Sequence, residues 1–124
     1  MASPGYNPSD ATIIAVAREI YNSSHMNEIR KAHKKGVPLA VTIGKYKVQY
    51  EALPFSGCTA VNADGFLIGT EALASEAELK KTLLHELHRL HNSNSSNGRG
   101  VDRDTEKAQT EAAFQFAERF CNSI

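Results

Sequence analysis

The ten residues Thr82-Leu83-Leu84-His85-Glu86-Leu87-His88-Arg89-Leu90-His91 carry three histidines, a carboxylate and a guanidinium. Imidazole is the side chain whose ordinary pKa lies near neutrality, so it can carry a proton or ligate a metal. A His–Glu pair can move protons to and from a reacting group. An adjacent Arg can stabilise charge that develops on a phosphate. Three of the chain's five histidines fall here, at positions 85, 88 and 91. Ordinary surface helices favour Lys, Glu, Ala and Gln, which lose little rotamer freedom, so this composition is unusual.

The element that must hold these groups is a helix over about 76–92. Ser75-Glu76-Ala77-Glu78 forms a capping box at its start, the Ser and the Glu three residues on each satisfying the other's backbone donor. At 100° per residue Leu79, Leu83, Leu87 and Leu90 gather on one face. Glu86 falls about 60° from the centre of that stripe. His91 lies on the opposite flank, while His85, His88 and Arg89 point largely away from it. Burying a carboxylate costs several kcal/mol unless it is paired, protonated or metal-bound. Arg89 at i+3, Thr82 at i−4 and a facing sheet are the candidate partners. The bland alternative is an ordinary Glu86–Arg89 ion pair worth a few tenths of a kcal/mol, with the histidines facing solvent.

His-Glu-x-x-His on a helix sets two ring nitrogens one turn apart for zinc, with Glu as base. Here the run is His85-Glu86-Leu87-His88-Arg89. The second histidine comes one residue early, and Arg89, which cannot ligate a cation, occupies the ligand position. The layout still resembles a small, degenerate zincin: strands, a His-Glu helix, then a further helix offering a carboxylate at Glu111. His85, His88 and His91 spread over about 120° of helix, and with Glu111 they make up the metal alternative. The favoured expectation is no cofactor, with zinc as the alternative.

The rest of the chain frames this helix. Residues 1–8 read as a flexible leading segment and 9–124 as a single domain. The leading segment lacks the charged and apolar regions of a signal peptide. Ser9 or Asp10 can cap a helix through about Tyr21, with Ile13, Ala17, Ile20 and Tyr21 on one stripe. A second helix, about Met26 to Lys35, stops at Gly36. Its Arg30, Lys31, Lys34 and Lys35 form the one basic cluster, either a solvated face or a patch that attracts substrate. Alternation then predicts two hairpins: 39–43 with 46–50 across Gly44-Lys45, and 58–62 with 66–69 across Ala63-Asp64-Gly65. Asn92 to Gly100 is a polar loop. A final helix follows, capped by Asp102 or Asp104, with Ala112, Ala113, Phe116 and Phe120 inward. The expected fold class is α+β: two N-terminal helices, a small, mostly antiparallel four-stranded sheet and two C-terminal helices.

Composition narrows the function. The 124 residues carry 14 basic and 14 acidic side chains, so the basic excess of a nucleic-acid coat protein is missing. A catalytic nuclease with a local basic cleft remains compatible. No stretch approaches 18 apolar residues, so no membrane span is expected. Cys58 and Cys121 are compatible with one disulfide or with two buried thiols.

Three stretches carry a wider resemblance: Gly65-Phe66-Leu67-Ile68-Gly69, the run from Leu79 to Leu90, and Thr110-Glu111-Ala112-Ala113-Phe114-Gln115-Phe116-Ala117-Glu118-Arg119. Over roughly residues 64–120 the chain resembles the C-terminal toxin domains of bacterial polymorphic toxins of the contact-dependent-inhibition and RHS-repeat kinds. That resemblance implies secretion as part of a larger bacterial protein, action in the cytoplasm of a neighbouring cell, and a cognate immunity protein. Many such domains are ribonucleases, often cutting tRNA. On this reading the domain is a monomeric, metal-independent ribonuclease. His85 is general acid or base, Glu86 orients it or is the second proton-transfer group, and Arg89 stabilises phosphate charge. Glu111 or Thr110 completes the site. Lys45, Tyr46, Lys47 and Tyr50 of the first hairpin, with His88, contact substrate. The alternatives are a metal-dependent hydrolase on the degenerate zincin-like scaffold and a non-enzymatic binding module.

Overall fold

The computed structural model describes residues 8–59, 65–96 and 103–124. Helix α1 spans Pro8–Asn22 and α2 spans Ser24–Lys35. Strands β1 (Leu39–Ile43), β2 (Tyr46–Tyr50), β3 (Gly57–Thr59) and β4 (Gly65–Ile68) follow. A 3-10 turn, Thr70–Leu73, leads into α3 (Glu76–Ser96). Helix α4 (Arg103–Phe120) and a last 3-10 turn, Cys121–Ser123, close the chain.

Local signals explain most of these limits. The Ser23 hydroxyl accepts from the His25 amide at 3.1 Å and starts α2. Gly36 ends it in the left-handed region (φ 70°, ψ 31°), where glycine meets no Cβ penalty. The Ser75 hydroxyl accepts from the Glu78 amide at 3.1 Å, the Ser half of the capping box. Gly44, at φ 62°, turns β1 into β2. Helix α3 runs through Ser96, beyond the expected end near residue 92. Residues 1–7, 60–64 and 97–102 lie outside the described residues, and with them most of the turn expected at Ala63-Asp64-Gly65, as does the side chain of Cys58; Cys121 is a free thiol.

The expected α+β layout, with a mostly antiparallel four-stranded sheet between two helix pairs, is corrected. The described chain is mostly helical, and helical segments are interspersed, with a 3-10 turn standing between the sheet and α3. The strand order is β1-β2-β4-β3. Three strands form the body of this sheet, and β3 adds only three residues at its edge. Strands β1 and β2 pair antiparallel, β4 runs parallel to β2, and β3 pairs antiparallel with β4. The sheet is therefore mixed. Burial gives the reason: Gly65, Phe66 and Ile68 of β4 are buried, so β4 takes an inner position between β2 and the short edge strand.

The 51–56 loop crosses the end of β4 and is tied there. The Glu51 amide donates to the Ile68 carbonyl, and the Gly69 amide to the Ser56 carbonyl, both at 2.9 Å. This loop sets the place of Ser56 and Gly57.

Helix α3 packs against α1, α4, β3, β4 and both 3-10 turns. Leu79, Leu83, Leu84, Leu87 and Leu90 are buried along it. The first four meet Ile13, Ala17 and Ile20 of α1, Val48 and Tyr50 of β2, Phe66 and Ile68 of β4, and Phe116 and Ala117 of α4 in one core. Ala112, expected inward, is exposed, and Ala117 is buried in its stead. At the N-terminus of α3 the Glu76 carboxylate accepts from the Tyr21 hydroxyl at 2.7 Å and from Arg30 at 2.8 Å, joining three helices. The Tyr21 hydrogen bond, assisted by Arg30, holds the Glu76 carboxyl below its ordinary range.

The parallel β2–β4 junction makes a checkable demand. Gly65 pairs with Lys47, whose carbonyl occupies the space a Cβ would need. Gly65→Ala is expected to cost about 2–3 kcal/mol through overpacking, lowering the thermal midpoint by roughly 10 °C. Calorimetry checks this, and an unchanged midpoint would refute the pairing.

Candidate functional site

Thr82 and Glu86 are the two buried polar side chains of the central helix among the described residues. Four residues apart, they share one flank of α3 beside the leucine stripe. Glu86 is only 3% exposed. Its carboxylate lies against the backbone of Gly57, where an added Cβ would sit 2.8 Å from Oε2. Glycine at the start of β3 thus leaves room for the acid.

His85 stands beside it. Its Nε2 lies 3.8 Å from Glu86 Oε2, longer than a hydrogen bond but well inside the range of charge attraction. Its Nδ1 is buried with no hydrogen-bond partner among the described residues. The ring rests on Phe114 of α4, with centroids 4.4 Å apart and planes at 50°. The His85 side chain is 13% exposed. Burial first, then the charges of Arg89 and His88, lowers its pKa to about 4. The imidazole is therefore neutral at pH 7. This lies below the near-neutral value expected for it, so the resting ring is set to accept a proton.

These groups line a cavity of about 210 Å³ between the start of β3, α3 and α4. Ser56 and Gly57 form one wall. Glu78, Lys81, Thr82, His85 and Glu86 come from α3, and Phe114, Ala117 and Glu118 from α4. The two helices run antiparallel and meet in steps of four residues. Lys81 Nζ lies 3.2 Å from Glu118 Oε1, His85 contacts Phe114, and Arg89 Nη1 donates to Thr110 Oγ1 at 2.9 Å. The hydrogen bond to Glu118 raises the Lys81 pKa.

The residues expected to act together are divided among several places. His85 and Glu86 share the cavity. Arg89 and Thr110 pair one turn beyond it and do not line it. His88 turns toward Phe116, with ring centroids 4.8 Å apart, and burial lowers its pKa. Lys45, Tyr46 and His91 line a second cavity of about 290 Å³ bordered by α1. Lys47 is exposed on β2, and Glu111 is exposed on α4 and lines neither cavity. Tyr50 is a core residue whose hydroxyl lies 2.9 Å from His33 Nδ1. Among the described residues no three His, Cys, Asp or Glu side chains are grouped so as to hold a metal ion. No helix among them is long and apolar enough to cross a membrane.

Ser56, Gly57, Lys81, Phe114 and Glu118 are among the lining residues that sequence reasoning missed. The i, i+4, i+8 spacing of 81, 85 and 89, mirrored by 110, 114 and 118, is the signal that could have found the α4 side. No family model matches the chain, and no curated protein or solved structure matches it either.

The low His85 pKa makes folding pH-dependent. The unfolded imidazole takes its proton near 6.5 and the folded one near 4. Protons therefore favour the unfolded chain between those values, and stability present at pH 7 is lost as pH falls through that window. The loss attributable to His85 is at most about 3 kcal/mol. Urea unfolding at pH 7 and pH 4.5 is expected to show a smaller acid loss in His85→Gln than in the wild type. Equal losses would contradict the burial of this ring.

Proposed function

We propose that the His85–Glu86 cavity is the catalytic centre of a metal-independent ribonuclease, in a toxin domain held in check by a cognate immunity protein. The toxin context rests on the sequence resemblance. Delivery as part of a larger secreted bacterial protein and action in the cytoplasm of the target cell belong to the same proposal. One observation carries the catalytic reading: a mostly buried imidazole lies 3.8 Å from a buried carboxyl group at the wall of a cavity, and burial favours its neutral form. Such an environment is characteristic of functional groups.

In this reading His85 Nε2 accepts the proton of a ribose 2′-hydroxyl. The 2′-oxygen attacks phosphorus and closes a 2′,3′-cyclic phosphate. The bond to the 5′-oxygen breaks, and that oxygen takes a proton from solvent at the cavity mouth. The new imidazolium faces Glu86 Oε2, 3.8 Å away, whose negative charge stabilises it. Lys81 meets the phosphate. Glu118, its ion-pair partner at 3.2 Å, sets its position on the rim. The three glutamates of the lining would otherwise repel an anion; Glu118 pairs with Lys81, Glu78 also acts on that lysine, and Glu86 is only 3% exposed. Arg89, anchored by Thr110, adds positive charge one turn away. The Lys45–Tyr46 hairpin serves another surface in this scheme.

Expression in a bacterial cell, with total RNA examined for discrete fragments, tests the reading. The wild type is expected to arrest growth and cut RNA. His85→Gln and Glu86→Gln are each expected to lower cleavage at least about a hundredfold, with the thermal midpoint moving only a few degrees. Dialysis against a chelator is expected to leave cleavage intact. Growth arrest with intact RNA would count against a ribonuclease, and loss of cleavage on chelation would favour the metal-dependent hydrolase.

A further inference from the structure

The inner stripe of α4 is made by Ala113, Phe116 and Ala117. Phe114 stands off that stripe and is 57% exposed. Of the large apolar side chains exposed among the described residues, Val37, Leu53 and Phe114, only Phe114 lines the His85 cavity. The ring is nonetheless anchored, because one side rests on His85 at 4.4 Å between centroids. It forms the lip of the His85 cavity, with Lys81 of the same lining and Glu118 one turn along. An aromatic ring held by a tilted contact with His85 yet more than half exposed, with a cation in the same lining, matches how proteins hold single-stranded nucleic acid.

We propose that Phe114 is a stacking platform that receives a nucleobase of single-stranded RNA and so sets the adjoining ribose and phosphate over His85 and Lys81. This deepens the ribonuclease reading and rests on it. A stacked base fixes one nucleotide without reading its identity, so the platform selects unpaired RNA rather than a particular sequence. Duplex bases are already stacked on each other and offer it no free face. The site would therefore favour loops and single-stranded ends.

The test uses the intact domain and a fluorescent 2′-O-methyl single-stranded RNA ten nucleotides long, whose blocked 2′-oxygen prevents cleavage. Fluorescence anisotropy gives Kd for the wild type and for Phe114→Ala, Leu, Tyr and Trp, with unfolding midpoints measured alongside. Phe114→Ala and Phe114→Leu are expected to weaken binding about tenfold or more. Phe114→Tyr and Phe114→Trp are expected to stay within about threefold of the wild type, since they keep a π-face. The wild type is expected to bind the single strand better than the matching duplex. Wild-type affinity in Phe114→Leu would overturn the proposal, because apolar cover of His85 alone would then suffice. Equal affinity across the whole series would overturn it in favour of a ring that docks a protein partner. RNA cut in cells together with either of those results removes the platform and leaves the ribonuclease. A wild type that neither binds the oligonucleotide nor cuts cellular RNA removes both.

Discussion

A carboxylate withdrawn from water on the most widely packed helix is the constraint around which this fold is arranged. Glu86 cannot be buried against a bulky neighbour without losing its place, and the residue that faces it is Gly57. That requirement bears on the strand carrying the glycine. Strand β3 is short, lies at the sheet edge and is reached by a loop bonded to the end of β4. Helix α4 then covers the neighbouring side of α3, bringing Phe114 onto His85 and Ala117 into the core. The cavity is what remains between these three pieces. Its walls follow from how the core closes, with a buried acid at the core's flank.

Electrostatics follow from the same enclosure. Burial opposes the charged form of imidazole, and two neighbours on the same helix, Arg89 and His88, act in the same direction. The result is a base kept neutral, with no hydrogen bond at Nδ1 among the described residues. The acid beside it sits at a distance that leaves the neutral ring unbonded yet would favour a proton once acquired. Burial and the charges on its own helix thus both favour the neutral ring, which is the form that can accept a proton. The two-helix ladder stiffens the frame. Lys81–Glu118, His85–Phe114 and Arg89–Thr110 recur at one-turn intervals, so a shift of α4 along α3 would disturb all three together.

What was legible in the sequence was mostly local. Ser75 at the start of α3, Gly36 at the end of α2 and the turn at Gly44 act through their own backbone, and the chain shows them directly. The stripe of Leu79, Leu83, Leu87 and Leu90 follows from helical period, and the placing of Glu86 beside it followed too. The two expected strand pairings, β1 with β2 and β3 with β4, are both present. How the two pairs join was not legible, because alternation shows which face of a strand is buried and says nothing of which strand lies beside it; the more buried β4 lies parallel beside β2. The site was half legible for a similar reason. His85 and Glu86 are neighbours in sequence, but Phe114, Glu118 and Gly57 reach them only through packing. Lys45 and Tyr46, which looked suited to phosphate, belong to a turn carried against α1 and the far side of α3.

The central claim is that His85 is an enclosed, neutral imidazole next to an acid. The most direct measurement is an NMR titration of the histidine ring resonances, with His85 assigned by its loss in His85→Gln. The account predicts a midpoint of about 4 for this ring, and a shift of that midpoint in Glu86→Gln. A midpoint at the ordinary histidine value near 6.5, unmoved by Glu86→Gln, would contradict it.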